Sequence, residues 1–282
     1  MRSLGDEAGG HGSDGGAKAG ANDGAAISEW DASLALSRFR AQAPECRGDS
    51  FNAIVAYGAN GAMMHYAPKP GASSQIRGSG LMVVDSGGHY GGGTTDITRT
   101  IVLGETTAEE RSDFTLTLKS HIALASARFL YGATGAHVDS IARKVMWDNG
   151  LDYKCGTGHG IGSYLSVHEG PQSISMRAGT GARLEENMIV SIEPGVYREG
   201  RHGVRIENLA RIAEDITNEF GRFLRFETLT FCPIGLAGVE PAMLTEFERK
   251  WLNGYHAAVY GKLSPLLGEP ERAWLARETR PI

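Results

Sequence analysis

Asp85 closes the apolar run LMVVD, and Asp96 follows eleven residues later in GTTDITRT. His159 sits within GTGHGIG, Glu193 within SIEPG and Glu207 within GVRIENL. None of the five lies on a predicted helix surface. Each carboxylate stands inside or at the end of an apolar run, where an unpaired charge is costly. Taken singly, each is better read as an acid satisfied by an arginine or by backbone N–H groups. Taken together, four carboxylates and one imidazole make the donor set that two divalent cations require. A charge of about −4 would be neutral only with two such ions bound. The set is rich in oxygen and lacks thiolate, which favours Mn2+ or Co2+ over a structural zinc site.

Competing chemistries find no motif. No G-x-G-x-x-G follows a strand, and neither a Walker A sequence nor H-E-x-x-H is present. The run His168-Glu169-Gly170-Pro171 lacks a second histidine, and Ser86 and Ser163 sit outside any G-x-S-x-G elbow. The 282 residues carry a net charge of −5, which argues against a nucleic-acid or anionic-lipid partner. No apolar run reaches the roughly 18 residues of a membrane helix, and no signal-peptide core follows Arg2. Cys46, Cys155 and Cys232 build no disulfide framework. The expectation is a cytoplasmic protein.

The elements that must position these residues are legible in outline. Ser28 can cap a helix that Pro44 stops, over about 28–43. Strands are predicted over 51–57, 81–85 and 95–103. Thr107 and Glu110 form a capping box for a long helix carrying Phe114, Leu118, Ile122, Ala125 and Phe129. A shorter helix follows over 137–148. Strands return at 188–193, 204–212 and 226–231, then helices near 245–260 and 270–278. Helices between antiparallel-looking strands indicate an α+β fold. Eight of the 39 glycines fall within the first 30 residues, so residues 1–26 read as a disordered tail. His89 and His202, in glycine-rich surroundings, read as loop histidines.

The segments VVDSGGHYGGGTTDITRT, GTGHGIGSYLSVHEGP, SIEPGVY and GVRIENL resemble those of aminopeptidase P, the Xaa-Pro aminopeptidases, from about Glu29 onward. The resemblance implies a pita-bread fold, with two pseudo-symmetric α+β halves around a dinuclear metal site. A catalytic domain would cover 27–235, and 236–282 would be the helical C-terminal extension of the cytosolic-type members. Asp85 would bind one metal, Asp96 and Glu207 would bridge, and His159 and Glu193 would complete the second site. The two divalent ions would be Mn2+, with Co2+ or Zn2+ as alternatives. A hydroxide bridging them would attack the N-terminal Xaa-Pro peptide bond. The resemblance makes His65, in NGAMMHY, a substrate contact that aids proton transfer, and His168 a donor to the scissile carbonyl or proline side. Cys155 would border the substrate where the family usually carries histidine. Ile192 and Ala67 are further departures, placed beside the ligands and not among them.

The implied substrates are peptides with proline second, and a homodimer through the C-terminal extension is a further expectation. Members of this type carry extra N-terminal domains, so the chain reads as the catalytic module alone. Two rival readings are a prolidase-type dipeptidase and a catalytically weak pita-bread binding module. The second fits poorly with the presence of all five ligand positions.

Overall fold

The computed structural model describes residues 27–164, 166–177 and 181–282, so the expected tail at 1–26 lies outside the described residues. Helix α1 (Glu29–Arg40) starts at Ser28 through a reciprocal cap: Ser28 Oγ accepts from the Asp31 N–H, and the Asp31 carboxylate accepts from the Ser28 N–H. Strand β1 (Cys46–Asp49) pairs with β4 (Gly88–Tyr90), which in turn pairs with β5 (Gly93–Thr94). Beside this small sheet, β3 (Leu81–Ser86) runs antiparallel between β2 (Ile54–Tyr57) and β6 (Ile97–Val102). The apolar run LMVVD thus lies in the central strand of its sheet.

Helix α2 (Ala108–Ala125) carries the expected Thr107–Glu110 capping box and buries Phe114, Leu118 and Ile122 completely. Phe129, expected on that helix, instead lies in strand β7 (Arg128–Leu130), because the helix stops at Ser126 and the chain turns into a sheet edge. Helix α3 (Gly135–Trp147) packs on α2. Two short strands, β8 (Gly158–His159) and β9 (Ser173–Ile174), pair with each other. The second large sheet has the order β10 (Ile189–Ile192), β13 (Asn208–Asn218), β14 (Gly221–Thr228), β7. Between β10 and β13 along the chain lies a hairpin of β11 (Gly195–Arg198) and β12 (His202–Arg205).

One predicted strand, 204–212, is two. It breaks at Ile206 and Glu207 because β12 pairs with β11 whereas β13 pairs with β10, so the chain changes sheets there. Two apolar cores meet on α2. Its Phe114, Leu118 and Ile122 pack with Leu81, Val204 and Ile206, and also with Leu252 and Val259 of α4 (Glu246–Leu263) and Leu275 of α5 (Glu269–Glu278). Its Leu124 joins Val138, Ile192, Ile212 and Leu224 around the second sheet. Each such large apolar side chain, when fully buried, is worth about 1.5–3 kcal/mol. The helices after residue 236 thus share the core that backs β3 and β12.

Candidate metal centre

Asp85 stands near the end of β3, opposite Ile54 on one neighbour and Thr98 on the other. Asp96 comes just before β6, after the chain has doubled back through a tight loop. That loop requires Gly87, where a Cβ would sit 1.9 Å from the carbonyl oxygen of Thr95. His159 ends β8, and Gly158 before it lets β8 approach β10, since a Cβ there would meet the Ser191 carbonyl at 1.9 Å. Glu193 directly follows β10, its N–H bonded to the carbonyl of Thr157. Glu207 occupies the break between β12 and β13, where the Thr98 carbonyl accepts from its N–H.

These elements converge. Ligand atoms of Asp96, His159 and Glu207 all lie within 4.8 Å of one another and could hold a metal ion. His159 Nε2 is 3.4 Å from Asp96 Oδ2 and 3.2 Å from Glu193 Oε1. Its Nδ1 faces the Gly160 carbonyl at 2.9 Å, which places the proton on Nδ1 and leaves Nε2 directed at the carboxylates. Asp85, Asp96, His159 and Glu193 line one cleft together with His65, Cys155 and His168. The His168 ring meets that of His159 edge-on at 4.2 Å. His65 is exposed at this cleft.

The electrostatics are those of like charges crowded in a dry place. Burial, with the repulsion of Asp96 and Glu193, pushes Asp85 up to about 7 despite the pull of Arg205. Burial and the surrounding acids drive Glu207 well above the usual carboxylate range. Burial opposes a charge on His159, yet hydrogen bonds to Asp96 and Glu193 raise it to about 11. Burial also opposes charge on Glu193, but His159 and Arg205 hold it below its usual value. Burial and the charge of Glu193 push the Cys155 thiol up to about 11, so the sulfur stays protonated and neutral at pH 7.

Two buried carboxylate oxygens, Asp85 Oδ1 and Glu207 Oε1, have no hydrogen-bond partner among the described residues. Buried polar atoms are rarely left so. Oxygen-rich, negative and incompletely satisfied, this donor set fits divalent cations.

Sequence reasoning missed Arg205 and Tyr197. Arg205 Nη2 donates to Asp85 Oδ2 at 2.6 Å, Nε to Thr98 Oγ1 at 3.1 Å, and Nη1 to the Tyr197 hydroxyl at 2.9 Å. A signal existed, because Arg205 shares GVRIENL with Glu207 and Tyr197 shares SIEPGVY with Glu193. It also missed Arg99, whose guanidinium donates to the Glu207 and Thr98 carbonyls, to Asn208, and to the Tyr255 hydroxyl on α4. The loop reading of His202 is corrected. It is buried in β12 with Nε2 2.8 Å from Asp113 Oδ2, because the hairpin folds against α2. His89 likewise lies in β4, its Nδ1 2.9 Å from Thr94 Oγ1.

Residues 9–214 match Metallopeptidase family M24, and residues 222–282 match the C-terminal region of that peptidase family. The chain belongs to metallopeptidase family M24. It is 44% identical over 267 residues to a probable Xaa-Pro aminopeptidase P of Coprinopsis cinerea, covering 93% of this chain and 43% of that protein. It is 46% identical over 260 residues to aminopeptidase P2 of Arabidopsis thaliana, covering 91% and 37%. Among solved structures it resembles the X-prolyl aminopeptidase of Caenorhabditis elegans, a cytosolic enzyme with a di-nuclear active site. That match has a TM-score of 0.87 and 37% identity, over 92% of this chain and 43% of the other. The prolidase of Pyrococcus furiosus matches with a TM-score of 0.61 and 27% identity, over 71% and 55%. The fold is the α+β pita-bread fold of these enzymes. The chain spans about two fifths of the length of the curated relatives named here. No helix among the described residues is long and apolar enough to cross a membrane.

Proposed function

We propose that this chain carries the catalytic site of a metal-dependent aminopeptidase that releases the first residue of peptides with proline second. The observation that carries the reading is the set of four carboxylates around His159, three of them buried and Glu193 half-buried, in which, among the described residues, Arg205 is the one arginine or lysine bonded to an acid and two oxygens face no protein donor. Asp85 would hold one cation, Asp96 and Glu207 would be shared, and His159 with Glu193 would hold the other. When bound, two such cations lower the pKa of water and stabilise charge that develops on the scissile carbonyl. Arg205 grips Asp85 by Oδ2, while Asp85 Oδ1 has no hydrogen-bond partner among the described residues and is free to take a cation. His168, ring to ring with His159, would donate to the scissile carbonyl or the proline side, and His65, in the same cleft, would move a proton at the substrate. Cys155 borders the same cleft as a neutral substrate-facing group.

The proposed metal is Mn2+, with Co2+ or Zn2+ as alternatives, and the proposed compartment is the cytoplasm. Residues 27–235 would form the catalytic unit and 236–282 a helical extension through which a homodimer forms. A prolidase-type dipeptidase is the second reading, favoured by the Pyrococcus furiosus match.

Elemental analysis and a turnover assay with added Mn2+ test both. About two equivalents of metal with release of the first residue from an Xaa-Pro tripeptide support the proposal. Cleavage of Xaa-Pro dipeptides alone would favour the second reading. Metal-free protein without turnover would overturn both.

A further inference from the structure

Glu29, the first residue of α1, is completely buried, and no ion pair reaches it among the described residues. Its Oε1 accepts from the Tyr57 N–H at 2.7 Å and from Asn60 Nδ2 at 2.9 Å. Its Oε2 accepts from the Tyr66 hydroxyl at 2.6 Å and the Ser74 N–H at 2.9 Å, with Asn60 Nδ2 at 3.2 Å. The Glu29 N–H in turn donates to the Ser74 carbonyl at 3.0 Å. A buried carboxyl group without a basic partner is tolerated only when hydrogen bonds surround it, and here they do.

What these donors share is their position. Asn60 and Tyr66 bracket the short segment that carries His65, while Tyr57 and Ser74 mark where the longer excursion leaves and returns. Gly61 packs on Gly203 and Tyr66 on Ile54, Ala56 and Val83, but between them Met63 and His65 are exposed, as is Ala67 just beyond, and the His65 ring has no hydrogen bond of its own among the described residues. Where the imidazole sits over the cleft is therefore decided by its backbone. One carboxylate holds the chain on both sides of His65, through the Asn60 and Tyr66 side chains and, farther out, through the Tyr57 and Ser74 N–H groups. An amide could not substitute for it. Every partner donates, so a glutamine would turn its own N–H2 toward donors on one side or the other.

We infer that Glu29 is a positioning residue for His65, acting through Asn60 and Tyr66 from outside the metal centre. This inference rests on the substrate role proposed above for His65. Glu29→Gln should lower kcat on an Xaa-Pro peptide by roughly tenfold or more, while KM and bound metal stay within about twofold. Tyr66→Phe, the milder change, should lower kcat by roughly threefold to tenfold. Placed on a His65→Ala background, Tyr66→Phe should cost nothing further, because it acts through the missing ring. Full multiplication of the two effects, or loss of metal in either single variant, would overturn the inference.

Hydrogen exchange supplies a readout independent of turnover. Amides over 57–74 should exchange at least about tenfold faster in both variants, with β10 and β13 unchanged. Unchanged exchange at 57–74 would overturn the clamp itself. If the parent chain turns over no Xaa-Pro peptide, or His65→Ala is as active as the parent, the failure belongs to the proposed function, and exchange alone decides whether Glu29 holds the segment.

Discussion

Asp113 and Glu207 are both acids with almost no exposure, and the fold treats them in opposite ways. Asp113 receives Arg198 through Nε at 2.6 Å and Nη2 at 2.8 Å, and His202 Nε2 lies 2.8 Å from its Oδ2. Burial opposes its charge, yet these hydrogen bonds outweigh burial and hold the carboxyl below its usual range. Among the described residues the Glu207 carboxylate has one bond, from Thr98 Oγ1 to Oε2, and its other oxygen faces no donor amid Asp96, Glu193 and Asp85. A buried acid that the protein satisfies is a brace; one surrounded by further acids is a candidate ligand for a cation. Both are hidden from solvent, but Arg198 and His202 compensate that cost at Asp113, whereas at Glu207 three further acids add to it.

The comparison breaks most sharply at Asp96. Asp96→Ala should abolish both metal binding and turnover while the chain still folds, since it removes one of several repelling charges. Retention of two metals by that variant would end the assignment. At Asp113 the opposite holds. Asp113→Asn should lower the unfolding free energy by about 3 kcal/mol or more, because Arg198 and His202 lose their anion, and metal content should not change.

The pH dependence sharpens this second case. The folded pKa of Asp113 lies below its ordinary 3.8, so its contribution is complete above that value and fades as pH falls through the folded pKa. Denaturant curves of parent and Asp113→Asn should therefore converge in acid and diverge at neutral pH. A constant gap across that range would show that the ion pair is not the brace described here.

Within the cleft the expected effects are smaller. His65→Ala should reduce turnover by about 10²-fold with metal content unchanged, the scale of a lost acid–base contact. A normal rate would return His65 to the status of an exposed loop histidine. Cys155→His should raise kcat/KM on an Xaa-Pro peptide by roughly tenfold at saturating Mn2+. A neutral thiol is a weak donor, whereas imidazole can donate and accept at once. A variant that is no faster, or that loses a metal, would make Cys155 a small apolar filler.

Much of the framework was open to inspection along the chain. The caps at Ser28 and Thr107, the apolar strand that Asp85 closes, and the glycine runs around Asp96 and His159 are local features. They depend on residues within a few positions of each other. Phe129 and the break at Glu207 were misplaced for a common reason: periodicity continues smoothly through both points. Pairing with β14 takes Phe129 out of the helix, and a change of partner strand splits 204–212.

By itself the sequence determined which residue types stand at the proposed ligand positions, their order and the family to which the chain belongs. Spacing, glycine and apolar context are written in consecutive residues. Only the tertiary structure decided which charges are satisfied. Glu29 finds its donors 28 to 45 residues away, Arg205 reaches Asp85 across 120, and Thr98 meets Glu207 across 109. Electrostatic energy depends on distance in space and on exclusion of water, and neither is set until the chain has closed on itself.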